Sequence, residues 1–170
     1  SKPAPFLLRE LIDEVIESLQ HKAKKEEIEI RLKEFDKNLS VVADKDQIRQ
    51  VCLNLIENGI KYNKPGGWVE VGLQPFPKKS DKILLYIKDS GIGIDPTYIN
   101  RVTERFFRVD KSRSREKGGT GLGLSIVKHI MQSHGENLYI ESQPGKGSLF
   151  SITLARPGGV VLGATEKKES

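Results

Sequence analysis

Apolar residues recur at Leu8, Leu11, Ile12, Val15, Ile16 and Leu19 of "PFLLRELIDEVIESLQHKAKKEE", the spacing of an amphipathic helix. The period then falls to two. "IEIRLKEF" alternates as a strand and "LSVVAD" reads as a short second one. Asp44 is placed to cap a further helix, with Gln47 three residues on in capping-box position. That helix runs to about Tyr62 and stops before "NKPGG", a turn. "WVEVGLQ" and "KILLYIKD" are strands joined by "PFPKKSD". "DPTYINRVTERFF" opens with Asp and then Pro, the order favoured where helices begin, and a helix is expected there. "LGLSIVKHIMQSHG" has helical periodicity, and "ENLYIES" with "GSLFSITLA" closes a second hairpin around "QPGK". From Arg156 onward a loose tail is expected. Helices interleaved with hairpin-joined strands predict a mixed sheet covered on one face by helices, an α/β sandwich.

The helix over 44–62 has two unlike faces. At about 100° per residue, Ile48, Val51, Cys52, Leu55, Ile56 and Ile60 fall on one side. Asn54, Glu57, Asn58, Lys61 and Tyr62 fall on the other. Asparagine is a poor helix former, so two of them one turn apart are an odd choice for solvation alone. A neutral amide oxygen suits Mg²⁺, which takes few protein ligands and keeps phosphate oxygens and water for the rest. Lys61 can reach a phosphate, and Glu57 adds a carboxylate to the same edge. A plain polar surface stays open as the alternative. "KDSGIGID" follows a strand directly, so Asp89 lies at the rim of the sheet. Its carboxylate can accept a hydrogen bond from an exocyclic amine such as that of adenine. Gly91 and Gly93 let the chain pass close to a flat ring. An ordinary turn is the alternative there.

A third feature is "EKGGTGLGLSIVKHI", with glycines crowded in front of a helix. It is not a Walker loop, because Leu124 stands where the phosphate-gripping lysine belongs, and Ile126 breaks a dinucleotide fingerprint. What survives is the rule beneath both motifs: bare N–H groups at a helix start attract anions, phosphate above all.

Composition narrows the class. The 170 residues suit one domain, with 36% hydrophobic and 30% charged residues. No run approaches the roughly 18 apolar residues that span a bilayer. "SKPAPFLLREL" lacks a signal-peptide core, and the initial Ser suggests a piece of a longer protein. The net charge is +5, and "RVDKSRSREK", directly before the glycines, sets five cations against only two anions. Nucleic acid is not the expected partner of those charges, since no aromatic platform accompanies them. The single Cys52 reads as a buried structural thiol, and a cytoplasmic location is expected.

Together these stretches resemble the ATP-binding catalytic domain of sensor histidine kinases, within the GHKL superfamily. "NLIENGIKYNKPGG" looks like its N box and "DSGIGI" its first glycine box. "ERFFRVDKSRSREKGGTGLGLSIVKHI" looks like its F box and second glycine box, and "GKGSLF" its last glycine element. The resemblance implies a mixed five-stranded sheet with three helices and a mobile ATP lid, over a domain at 1–156 with a flexible tail at 157–170. It implies that Asn58 ligates Mg²⁺, that Asn54 supports the phosphates, that Lys61 holds phosphate oxygens and that Tyr62 packs on adenine. Asp89 would bond the adenine amine, with Gly91, Gly93 and Ile94 shaping the pocket floor. The lid would run from Phe107 to Gly119 with Arg108 as its phosphate-facing cation. Gly119, Thr120, Gly121, Leu122, Gly123 and Leu124 would present the phosphate loop. Glu57 would polarise the incoming nucleophile.

Three positions depart from the family pattern. Gly59 stands where alanine is usual, Thr103 where the F box begins with phenylalanine, and Glu136 at the second glycine of "HGG", where only a local effect is expected. His21, His129 and His134 lack the context of a phosphoacceptor, which must come from a dimerisation domain outside this chain. The implied partners are therefore ATP, that histidine-bearing domain and a response regulator. A monomeric piece of a homodimeric and membrane-anchored parent is expected. A regulatory nucleotide-binding switch without phosphotransfer is the alternative. Asn54, where clamp ATPases of the superfamily carry a glutamate, favours the kinase.

Overall fold

The computed structural model describes residues 2–75, 81–104 and 123–157. Strand β1 (Ala4–Leu7) leads without a loop into α1 (Leu8–Lys25), followed by β2 (Glu29–Leu32) and β3 (Ser40–Ala43). Next come α2 (Lys45–Lys61), β4 (Trp68–Gln74) and β5 (Lys82–Asp89). After a 3₁₀ turn at Pro96–Tyr98 come α3 (Leu124–Ser133), β6 (Leu138–Gln143) and β7 (Gly147–Ala155).

All seven strands join one sheet in the order β1-β3-β7-β5-β4-β2, with β6 also on β7. Among the described strands only β2 and β4 run parallel; the other pairs are antiparallel, so the sheet is mixed as expected. The seven strands exceed the five implied by the resemblance. Six were legible as alternating segments, and the seventh, β1, hides in the apolar pattern that opens α1. Its partner β3 lies more than thirty residues away, pairing Ala4 with Ala43 and Leu7 with Ser40. Local periodicity carries no trace of such a pairing.

The helices form one layer, α2 packed between α1 and α3 and against β4 and β5. Leu11 and Ile12 of α1, Leu55 and Ile56 of α2 and Leu124 and Met131 of α3 are almost completely buried against it. Leu85, Ile87, Ile152 and Leu154 meet them from the sheet. Alternate sheet residues turn to the other face, where the Tyr86 hydroxyl donates to Glu70 Oε2 at 2.7 Å. Cys52 is fully buried, which pushes its thiol up to about 12 and leaves it an inert core residue.

The helix expected from Asp95 onward shrinks to the 3₁₀ turn in the described residues. Asp95 does cap it, accepting from the Thr97 N–H at 2.9 Å. The turns that follow bury Val102 and half-bury Ile99, and the rest of the expected helix, from Arg105 on, lies outside the described residues. The tail expected at 157–170 lies outside the described residues beyond Pro157. No helix among the described residues is long and apolar enough to cross a membrane.

Candidate functional site

The C-terminal half of α2 and the end of β5 face each other across one end of the domain. The helix begins where the sequence placed it, with the Asp44 carboxylate accepting from the Gln47 N–H at 3.2 Å. Three turns later the polar face appears. Asn58 is only 8% exposed and donates from Nδ2 to Asn54 Oδ1 at 3.2 Å. Asn54 in turn donates to the Gly123 carbonyl at 3.4 Å. An amide relay thus ties the helix face to the residue that opens α3, where Gly123 takes a left-handed φ of 67°. Lys61 sits half-buried one turn beyond Asn58, its Nζ 6.0 Å from the Tyr62 ring centroid.

Across from them Asp89 is 7% exposed at the last position of β5. Its Oδ1 accepts from the Gly91 N–H at 2.8 Å and the Ser148 N–H at 3.3 Å. Burial pushes this carboxyl up to about 6, with the two amides pulling the other way. Among the described residues no salt bridge reaches it. A buried carboxylate held by backbone alone is aimed rather than neutralised.

The loop after Asp89 is fastened on both sides. The Ile92 N–H donates to the Tyr62 carbonyl at 3.0 Å, and the Gly145 N–H to the Ile92 carbonyl at 2.8 Å. Gly93 has a φ of 76°, and a Cβ there would fall 2.1 Å from the Gln143 carbonyl oxygen, so no other residue fits. Ile94 and Leu124 are core side chains, 6% and 1% exposed, so each can meet a ligand only through its backbone.

Several groups escaped the sequence reading. Asn63 donates from Nδ2 to the carbonyls of Gly59 and Trp68 at 2.9 and 3.1 Å, fixing the end of α2 to the start of β4. Ser90 Oγ donates to Asn63 Oδ1 at 3.2 Å and accepts from the Trp68 N–H at 2.8 Å. Ser142 Oγ accepts from the Ile94 N–H at 2.8 Å. An asparagine just past a helix end was the available signal for Asn63, whereas a serine in a loop (Ser90) or near a strand end (Ser142) carries none.

A family model described as "Histidine kinase-, DNA gyrase B-, and HSP90-like ATPase" matches residues 43–158, which contain this whole arrangement. The chain belongs to that family.

Sensor kinases are among the matches. Sensor histidine kinase WalK of Bacillus subtilis is 41% identical over 119 residues, 70% of this chain and 19% of that protein. Sensor protein SrrB of Staphylococcus aureus is 45% identical over 114 residues, 67% of this chain and again 19% of the relative. The chain therefore spans about a fifth of the length of these curated relatives. A nucleotide-free structure of the catalytic domain of histidine kinase ThkA superposes with a TM-score of 0.78 at 26% identity. That match covers 92% of this chain and 97% of the other. The fold is that of a histidine kinase ATP-binding catalytic domain.

In this ATPase-family domain the described residues bring together Asn54, Asn58, Lys61, Tyr62, Asp89, Gly91, Gly93, Gly123 and the backbones of Ile94 and Leu124. Glu57, next to Asn58 in sequence, pairs through its Oε2 with Lys22 of α1. Arg108, Gly119, Thr120, Gly121 and Leu122, and the lid expected over Phe107–Gly119, lie outside the described residues. Glu136, read as a local substitution, is a structural hub. Its side chain is 8% exposed, and Oε1 accepts from Lys82 Nζ at 2.8 Å and Thr153 Oγ1 at 2.6 Å.

Proposed function

We propose that this domain binds Mg²⁺–ATP and donates the γ-phosphoryl group to a histidine carried by a separate dimerisation domain. The observation that carries the reading is the pairing of two unlike ends across one pocket. At one end is the Asn58–Asn54–Gly123 relay, and at the other the buried Asp89 carboxylate with only amide partners. Their chemistries match the two ends of a nucleotide.

Asp89 accepts from the exocyclic amine of adenine, and Gly91 and Gly93 keep the floor flat beneath the ring. Tyr62 lies beside the base. Lys61 and the opening N–H groups of α3 hold phosphate oxygens. The described residues contain no cluster of three His, Cys, Asp or Glu side chains able to hold a metal by themselves. A hard cation that brings its own phosphate and water ligands fits such a site, with the amide oxygen of Asn58 as its protein ligand. When bound, Mg²⁺ would offset the charge of the triphosphate. Arg108 and the loop Gly119–Leu122 are assigned to the phosphates on sequence alone.

In the transfer, the bond from the γ-phosphorus to the β–γ bridging oxygen breaks and a bond to the acceptor imidazole nitrogen forms, leaving ADP. Positioning and charge stabilisation do most of such work. Glu57 adjoins Asn58 and holds Lys22 through Oε2, so any polarising contact with the incoming imidazole falls to Oε1. A response regulator would then accept the phosphoryl group from the histidine. The domain would act as a monomeric unit of a dimeric parent, facing the cytoplasm.

Calorimetry with a non-hydrolysable ATP analogue tests the binding step. Mg²⁺-dependent heat with a dissociation constant of about 1 μM to 1 mM is expected. Absence of heat at millimolar analogue overturns the reading. Adding the parent's dimerisation domain with ATP should label its histidine; binding without labelling would reduce the domain to a nucleotide switch.

A further inference from the structure

Gly59 follows Asn58 on α2 and is buried against the sheet. A methyl group there would meet Val69 Cγ2 at 2.9 Å, Val69 Cγ1 at 3.2 Å and Asp89 Cβ at 3.4 Å. Val69 and Asp89 are register partners on β4 and β5, so the bare backbone of the helix rests on one cross-strand pair. Val69 is fully buried and β-branched, which leaves it little freedom to swing aside. The Gly59 carbonyl is held as well, accepting from Asn63 Nδ2, which also bonds the Trp68 carbonyl at the start of β4. Helix and strand are drawn together at this residue from both sides. Glycine is a poorer helix former than alanine, so its presence mid-helix calls for such a packing reason.

We infer that Gly59 is a positioning residue. By letting α2 lie close on Val69, it sets the distance between the phosphate-side groups Asn54, Asn58 and Lys61 and the base-side carboxylate of Asp89. The inference rests on the nucleotide reading above. An added methyl must push the helix off β4, because its contact with Val69 is too short to tolerate, while Asp89 at 3.4 Å keeps its place. The two ends of the pocket then move apart with their own hydrogen bonds intact. A ligand touching both ends loses affinity; a ligand touching only the base side, where the Ile92 N–H holds the Tyr62 carbonyl to the loop after Asp89, does not.

Three chains test this: wild type, Gly59→Ala, and Gly59→Ala with Val69→Ala. Affinity for the Mg²⁺-bound analogue is measured by calorimetry, affinity for adenosine by NMR titration, and stability by thermal melting. Gly59→Ala should weaken the analogue by roughly three- to tenfold while adenosine changes by less than about twofold. The double variant should recover the analogue to within about twofold of wild type even though it melts at a lower temperature, having lost buried methyl groups. Recovered affinity with falling stability is what a merely structural role would not give. Unchanged analogue affinity in Gly59→Ala, a parallel loss of adenosine, or no recovery in the double variant overturns the inference. Failure of the wild type to bind the analogue would instead remove the nucleotide reading, and this inference with it.

Discussion

The paired helices α2 and α3 end in polar groups at both extremities, and the two ends settle their polarity in opposite ways. At the far end His134 bridges the helices. Its Nε2 accepts from the Asp44 N–H at 3.0 Å, and its Nδ1 lies 2.9 Å from the Ile130 carbonyl, to which it donates. Nearby Glu136 is met by the Lys82 ammonium and the Thr153 hydroxyl. A cavity of about 550 Å³ opens beside these groups, and the Glu136 carboxylate on its wall already has a cation and a hydroxyl. At the near end the buried Asp89 receives amide N–H groups and no cation among the described residues. Burial of a carboxylate without a countercharge is costly, and the cost persists where a ligand supplies the missing interaction. Space alone does not mark the site. Unbalanced polarity does.

Titrating Asp89 should give the largest effect. Its folded value of about 6 lies above the ordinary 3.8, so the native state binds this proton more tightly than the unfolded chain. Stability therefore falls as pH rises through the window from about 4 to about 6 and levels above it, by up to about 3 kcal/mol from this group. Nucleotide affinity should run the other way, falling below pH about 6 as the acceptor is protonated. Urea melts and calorimetry across that range measure both. Two curves of the same sign would break the contrast between the ends.

Asp89→Asn separates charge from shape. Analogue binding should weaken by about 1.5–3 kcal/mol, with preference for ATP over GTP eroded. The melting temperature should hold or rise, because a buried charge is gone. A variant with intact binding and selectivity would reassign the carboxylate to structure.

Glu136→Ala asks the same of the far end and should do the reverse. Loss of a buried acceptor shared by Lys82 and Thr153 should cost about 1–2 kcal/mol of stability, toward the low side because Lys82 is partly exposed. Analogue affinity should stay at the wild-type value. A drop in affinity at preserved stability would mean that the two ends communicate.

Much of this contrast was legible in the chain. The two asparagines, Lys61 and the aspartate ending an apolar strand announced themselves by residue type at odds with their position. The pairing of Glu57 with Lys22 did not, since 35 residues separate them and either charge alone looks solvated. Glu136 was misjudged for a related reason: a lone glutamate in a turn reads as surface until β5 and β7 are seen to converge on it. Strand β1 escaped because strand pairing is non-local.

Strand β7 carries a consequence for how the domain comes into being. It pairs with β5 from Lys82–Ala155 through Asp89–Ser148, with β6 along Gly147–Ile152, and with β3 at Val42–Ala155. In the strand order it alone connects the β1-β3 pair to the β5-β4-β2 block. Both halves are thus synthesised before the strand that joins them, and the join closes contacts spanning more than a hundred residues. Sequence separation of that kind slows folding. The Ser148 amide that steadies Asp89 arrives with the same strand. A nascent chain released before Ala155 would hold helices and hairpins but no finished base pocket, so binding competence should emerge late and all at once during biosynthesis.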